Sequence, residues 1–330
     1  MKQPEFWYRS PDHPGLLAST LRPMGWLTGV LTARRVAREP EYRAKVPVIC
    51  VGNLHLGGTG KTPVVIALVE QLLAMGLRPQ ILSRGYGGRI TEPTLVDPNK
   101  HRAVDVGDEP LLLAAFTSVW VGKDRSMTAR AAEENGADIL IMDDGFQNPA
   151  LAKDLSLLVV DQARGFGNGL CFPAGPLRED VERGLARADL VILLEHTGKH
   201  GLPPELASAP CPIIRASLKP LQTGMSWDGL KVLAFAGIGH PQKFFDTLKS
   251  LGAELAETIA LDDHQPISAG LATRLLRQAR SMNAQLVTTE KDAVRLPDAM
   301  RREVLALPVR LQFADPPVLV DKLSEVMSRK

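Results

Sequence analysis

The sequence predicts an α/β protein: a P-loop NTPase-like, doubly wound and mainly parallel sheet, a second, smaller α/β domain, and an N-terminal amphipathic helical segment. Three observations carry that prediction. The glycine-rich stretch Gly57-Gly58-Thr59-Gly60-Lys61-Thr62 sits between a β-branched run and a helix-period apolar pattern. Two later runs, 138–142 and 155–160, are almost continuously apolar, as strands buried on both faces of a parallel sheet are. After a stretch rich in Pro, Gly and Ala, a fresh strand and helix series begins at Lys231. With 330 residues the chain exceeds the usual size of one compact domain. The expected partition is 1–40 for the amphipathic segment, 41–225 for the phosphate-binding domain and 226–330 for the smaller domain.

Taken in order, the first segment, 15–38, repeats apolar residues at loosely helical spacing among Arg22, Arg34, Arg35 and Arg38. Pro23 and Gly25 are expected to split it into two short helices. With Phe6, Trp7, Tyr8 and Trp26 nearby, it suits either a membrane interface, with arginines on anionic lipid, or a helical hairpin packed on its own domain. Residues 46–52 (VPVICVG) read as a strand, 63–75 as a helix, and 79–83 as the next strand. The turn 84–89 is basic and glycine-rich, and an apolar helix follows over 111–116. Strands at 138–142 and 155–160 complete the first sheet. The second part reads as a strand at 231–236, helices at 241–251 and 268–282, a strand at 285–288 and a terminal helix from Pro317.

Hydrophobic residues form 45% of the chain and charged residues 23%, which is globular composition and excludes a disordered chain. The net charge of +2 hides a basic excess in the first forty residues. Nothing points to nucleic acid or to an obligate protein partner. Cys50, Cys171 and Cys211 are isolated, which suits a reducing compartment and argues against a disulfide framework or a zinc site. No run approaches the roughly twenty apolar residues of a membrane span, and the start lacks a signal-peptide pattern.

A glycine-rich loop between a strand and a helix aims backbone N–H groups at an anion. Lys61 then reaches the β- and γ-phosphates, and the Thr62 hydroxyl suits Mg²⁺ on the same oxygens. His55 stands where the full pattern has its first glycine, so the loop must open differently. Asp143 and Asp144 follow an apolar strand, where a second acidic element holds Mg²⁺ or its water. Asp108 and Glu109, alone, read as cap and first-turn charges of a helix. His264, in Asp262-Asp263-His264, is a loop histidine of the ordinarily exposed kind, or a group that orients a reacting hydroxyl. Arg178, Arg84, Arg89 and the Lys123-Asp124-Arg125 run offer loop cations to phosphates.

Together, V-G-N-x3-G-G-T-G-K-T-P, S-R-G-Y-G-G, V-G-D-E-P, D-D-G-F-Q, F-P-A-G-P-L-R-E, F-A-G-I-G, D-D-H and T-T-E-K-D-A-V-R closely resemble the tetraacyldisaccharide 4′-kinase family of lipid A biosynthesis. The resemblance implies an ATP- and Mg²⁺-dependent kinase acting on the 4′-hydroxyl of a tetraacylated glucosamine disaccharide 1-phosphate, giving lipid IVA. It implies a peripheral enzyme on the cytoplasmic face of the inner membrane, docked by its N-terminal helix. It further implies that Asp108 and His264 act as a dyad, and that Glu109, Asp143 and Asp144 serve the metal. Arg178 and Glu179 would lie near the phosphates, with Ser83, Arg84 and Tyr86 on the substrate side. Asn148 departs from the histidine expected after D-D-G-F-Q. The competing reading is a P-loop maturation GTPase or a dethiobiotin-synthetase-like ligase, but Leu56 replaces the lysine that class often places before its glycines. A non-enzymatic membrane adaptor would leave the acids and loop arginines unexplained.

Overall fold

The computed structural model describes residues 3–195, 201–263 and 265–329. Among the described residues thirteen strands run in chain order: β1 (Val48–Gly52), β2 (Pro79–Ser83), β3 (Thr94–Leu95), β4 (Val119–Val121), β5 (Ile139–Asp143), β6 (Leu155–Asp161), β7 (Leu190–Leu194), β8 (Ile213–Pro220), β9 (Lys231–Ala236), β10 (Glu254–Ala260), β11 (Gln285–Thr289), β12 (Val304–Leu307) and β13 (Val309–Phe313). They form a nine-stranded sheet, ordered β13-β8-β7-β6-β1-β5-β2-β4-β3, and a four-stranded sheet, ordered β10-β9-β11-β12.

In the large sheet every pairing from β8 to β4 is parallel, and only the edge strands β13 and β3 run antiparallel. Strands β1, β5, β6 and β7 are buried at every residue, as their mostly apolar sequences require of strands covered on both faces. Because β1 lies between β5 and β6, the chain crosses from one side of β1 to the other there. A crevice opens beyond the carboxyl ends of strands at such a reversal. The phosphate loop leaves β1 at that point.

Helix α1 (Leu16–Val36) is one continuous helix of 21 residues that contains Pro23, which corrects the expected split. Proline at that depth removes one backbone donor and disfavours helix. Packing prevails, because the face carrying Gly25, Thr28 and Gly29 is seated on the loop at 171–174. A Cβ on Gly25 would lie 2.6 Å from the Cys171 carbonyl, and the Thr28 hydroxyl donates to the Phe172 carbonyl. Helix α2 (Lys61–Ala74) follows the phosphate loop and buries Val64, Val65, Leu68, Val69 and Leu72 completely. Each such side chain contributes about 1.5–3 kcal/mol of burial. Gly76, at φ 79°, ends α2 while the Leu77 amide donates back to the Leu72 carbonyl.

The smaller sheet packs Phe244, Phe245 and Leu248 on one face and Leu275, Ala279 and Leu296 on the other. The expected partition places all of 226–330 in this unit, and the strand order corrects that. β13 pairs with β8, and the helix Pro316–Ser328 buries Leu319, Leu323 and Val326 in the large core. The V-R-L-Q-F alternation of β13 identifies a half-buried strand but carries no information about which sheet edge it joins.

Candidate active site

The phosphate loop begins as β1 ends. Its opening departs from the common glycine turn because residue 55 bridges antiparallel to Leu177, the Leu56 amide donates to the Pro176 carbonyl (2.8 Å), and the Arg178 amide donates to the Leu54 carbonyl (2.7 Å). His55 is 4% exposed and its Nε2 lies 2.8 Å from the Gly165 carbonyl. A carbonyl only accepts, so Nε2 carries the proton; Nδ1 is buried without a partner. Burial pulls this imidazole down to about 4, so it is neutral and structural.

Inside the loop, Asn53 donates to the Gly57 carbonyl (3.1 Å) and to the Thr59 hydroxyl (2.7 Å). Gly60 sits at φ 84°, a left-handed conformation that demands glycine, and a Cβ there would displace the terminal methyl of Leu194. A Cβ on Gly58 would meet nothing within 4 Å, leaving open space beside the loop for a phosphate. Lys61 and Thr62 open α2, where the helix dipole favours an anion.

Lys61 Nζ lies 3.4 Å from Asp144 Oδ1, and Arg178 grips both Asp144 oxygens at 2.8 and 3.0 Å. Burial alone would raise the Asp144 carboxyl, but these cations outweigh it and hold it at about 2. Asp144 holds φ 53°, a left-handed conformation uncommon outside glycine, which turns the chain between β5 and D-D-G-F-Q. Asp143 has the opposite environment. Burial and the charge of Glu109 push it up to about 7, against Lys61.

Asp108 and Glu109 open a short helix, α3 (Asp108–Leu113), after the cap residue Gly107. The Gly107 backbone packs on the substrate-side loop: a Cβ there would lie 2.6 Å from the Tyr86 carbonyl, and the Arg89 amide donates to the Asp105 carbonyl. Ser83 is buried at the end of β2, whereas Arg84 and Tyr86 are exposed, Tyr86 at 87%. The smaller unit meets α3 directly, since Lys291 Nζ lies 3.2 Å from Glu109 and Arg295 Nε 3.4 Å from Asp108. His264 lies outside the described residues.

Glu179 is 2% exposed and is held by Arg187 and by Gln147, whose amide also donates to the Asn53 carbonyl at 2.8 Å. It braces Arg178 and the phosphate loop from behind instead of facing the crevice. Arg125, one of the expected loop cations, is buried and donates to the Asp143 carbonyl at 2.9 Å. Asn148 accepts from the Ala150 amide and serves the turn. Sequence reading gave no role to Asn53, Gln147, Lys291 or Arg295, although each lies in a motif quoted for the resemblance. Their roles depend on contacts far along the chain.

A phosphate loop at the switch point of a parallel sheet, with its lysine beside paired aspartates and a second acidic pair across the crevice, defines a P-loop nucleotide-binding enzyme with the parts of a phosphotransferase. The family model described as LpxK, tetraacyldisaccharide-1-P 4′-kinase, matches residues 17–328. The chain belongs to that family. It is 57% identical to the tetraacyldisaccharide 4′-kinase of Dinoroseobacter shibae over 98% of this chain and 97% of that one. It is 51% identical to the protein of the same name from Jannaschia sp., over the full length of both. A solved structure of LpxK from Aquifex aeolicus in complex with ATP superposes with a TM-score of 0.77 at 26% identity, covering 94% of this chain and all of that one.

Proposed function

We propose that this chain transfers the γ-phosphate of ATP to the 4′-hydroxyl of tetraacyldisaccharide 1-phosphate, yielding lipid IVA and ADP. The observation that supports this reading is that Glu109 of α3 and Lys61 of the phosphate loop both act on the charge of Asp143, with Lys61 3.4 Å from Asp144. In this reading the backbone N–H groups of 57–62 and the Lys61 ammonium bind the triphosphate. Asp108 accepts the proton of the sugar hydroxyl as its oxygen bonds to the γ-phosphorus and the bond to the β-bridging oxygen breaks. His264 tunes or relays that proton. Lys61 leaves Asp144 for the phosphates, and Arg178 keeps Asp144 ionised.

The donor set fits Mg²⁺. Among the described residues no cluster of three or more His, Cys, Asp or Glu side chains forms a metal cage, but Mg²⁺ commonly takes one or two carboxylates and completes its shell with water and phosphate. Asp143 and Glu109 are two such hard oxygen donors, and the charge of one raises the pKa of the other, a conflict that a cation would relieve. Thr62, Asp143 and Glu109 would hold the ion, with Asp144 acting through water because Lys61 and Arg178 already engage it. When bound, Mg²⁺ neutralises charge on the β- and γ-phosphate oxygens.

Among the described residues no helix is long and apolar enough to cross a membrane. Helix α1 instead exposes Leu16 (88%), Trp26 (70%), Leu17, Met24, Leu27 and Leu31, with Arg22, Arg34 and Arg35 also exposed. We place that helix in the interface of the inner membrane, on its cytoplasmic face, where an acylated substrate resides. Phosphate transfer by paired variants tests the assignment. Lys61→Ala loses ATP binding and turnover together, whereas Asp108→Ala keeps ATP binding and loses turnover; wild-type turnover from Asp108→Ala would remove it as the proton acceptor.

A further inference from the structure

Arg295 lies in the smaller unit, beyond the short helix that follows β11, and its side chain is 6% exposed. A buried guanidinium is costly unless its donors are paired. Most of this one is accounted for: Nη1 donates to the Gln265 carbonyl at 3.2 Å, and Nη2 donates to the Gly237 carbonyl at 3.1 Å and pairs with Asp292. Asp292 is itself completely buried, and it accepts from the Gly237 amide at 3.0 Å and the Thr289 hydroxyl at 2.7 Å. The guanidinium plane is therefore fixed by the small unit alone. Nε is buried without a hydrogen-bond partner in the small unit and faces Asp108 Oδ2 at 3.4 Å.

We propose that Arg295 is a positioning residue for phosphate transfer: it fixes the Asp108 carboxylate toward the acceptor hydroxyl and ties it to the backbone at Gln265. One planar group thus touches the acid's helix, the F-A-G-I-G turn and Gln265. A purely structural arginine would be satisfied by Asp292 and the two carbonyls. The rigid fork gives Nε a defined direction, which a lysine with three rotatable hydrogens on one nitrogen does not reproduce. The proposal rests on the reading of Asp108 as the proton acceptor.

The test uses the full-length enzyme with Arg295→Lys, which keeps a cation beside Asp292 and so preserves folding. We expect kcat to fall about a hundredfold, the scale of a small misplacement of a reacting group, with KM for ATP unchanged and the thermal midpoint lowered by the carbonyl hydrogen bonds that lysine does not replace. The same substitution placed on Asp108→Asn, followed through its residual turnover at long incubation, should cost nothing more, because the acid it positions is gone. If that residual rate is immeasurable, Asp108→Glu serves as the background, and the two losses should again be less than additive. Additive losses, or wild-type kcat in Arg295→Lys, would overturn the positioning role. Full turnover in Asp108→Asn would instead overturn the underlying reading of the acid.

Discussion

His55 occupies the place of a glycine, and its burial gives the phosphate loop a pH window. Its folded pKa of about 4 lies below the unfolded value of 6.5. The unfolded chain therefore takes up a proton that the folded chain refuses, so stability is full above 6.5 and falls as pH drops towards 4. The span corresponds to about 3 kcal/mol by linkage. Replacing His55 with Gln keeps a donor for the Gly165 carbonyl and removes the titration; denaturant melts of the variant should lose most of the slope between those two values. Asp143 behaves in the opposite sense. Its folded pKa, raised to about 7, means that stability is full below 3.8 and is lost as pH rises through 7. In magnesium-free buffer Asp143→Asn should therefore melt higher than wild type at about pH 8, with the difference vanishing towards about pH 4. A difference of the same size at both pH values would contradict a protonated Asp143. The sequence showed both residues, as a departure in the loop and as an acid after a strand. Their ionisation was invisible, because it depends on Gly165, Glu109 and Lys61, which only the fold brings near.

Helix α1 and the phosphate loop show how far element boundaries can be read locally. The strand, loop and helix around Gly57 to Thr62 were legible because each signal is short-range: a β-branched run, positive-φ glycines and an apolar face at helical spacing. Gly60→Ala would place a Cβ at a strained φ within the phosphate loop, and it should greatly weaken ATP binding measured by titration. Helix α1 was misread at Pro23 because its continuity comes from seating on the loop at 171–174, about 150 residues later. Its exposed side is separable from the active site. Trp26→Glu with Leu27→Glu should greatly weaken binding to anionic vesicles while leaving ATP affinity unchanged, and loss of both together would mean that the helix supports the fold and not docking.

At the scale of the whole molecule, the family and the parallel sheet were legible because their motifs are ordered along the chain, whereas the extension of the smaller domain to residue 330 was not correct. The chain returns to the large sheet through β13 and its final helix, so the smaller unit is inserted between β8 and β13. That return, reinforced by Arg310 bridging Glu70 and Glu290, holds the unit against the crevice and lets Lys291 and Arg295 reach Glu109 and Asp108. Both acids of α3 are therefore paired with cations of the smaller unit, and Glu109 lies near enough to Asp143 to raise its pKa. The direct measurement is to incubate the purified protein with γ-labelled ATP, Mg²⁺ and tetraacyldisaccharide 1-phosphate in detergent micelles, and to locate the new phosphate by NMR. Label in the lipid, on the 4′-oxygen, is the predicted result; a folded, ATP-binding preparation that leaves the lipid unlabelled, or labels another position, would contradict the assignment.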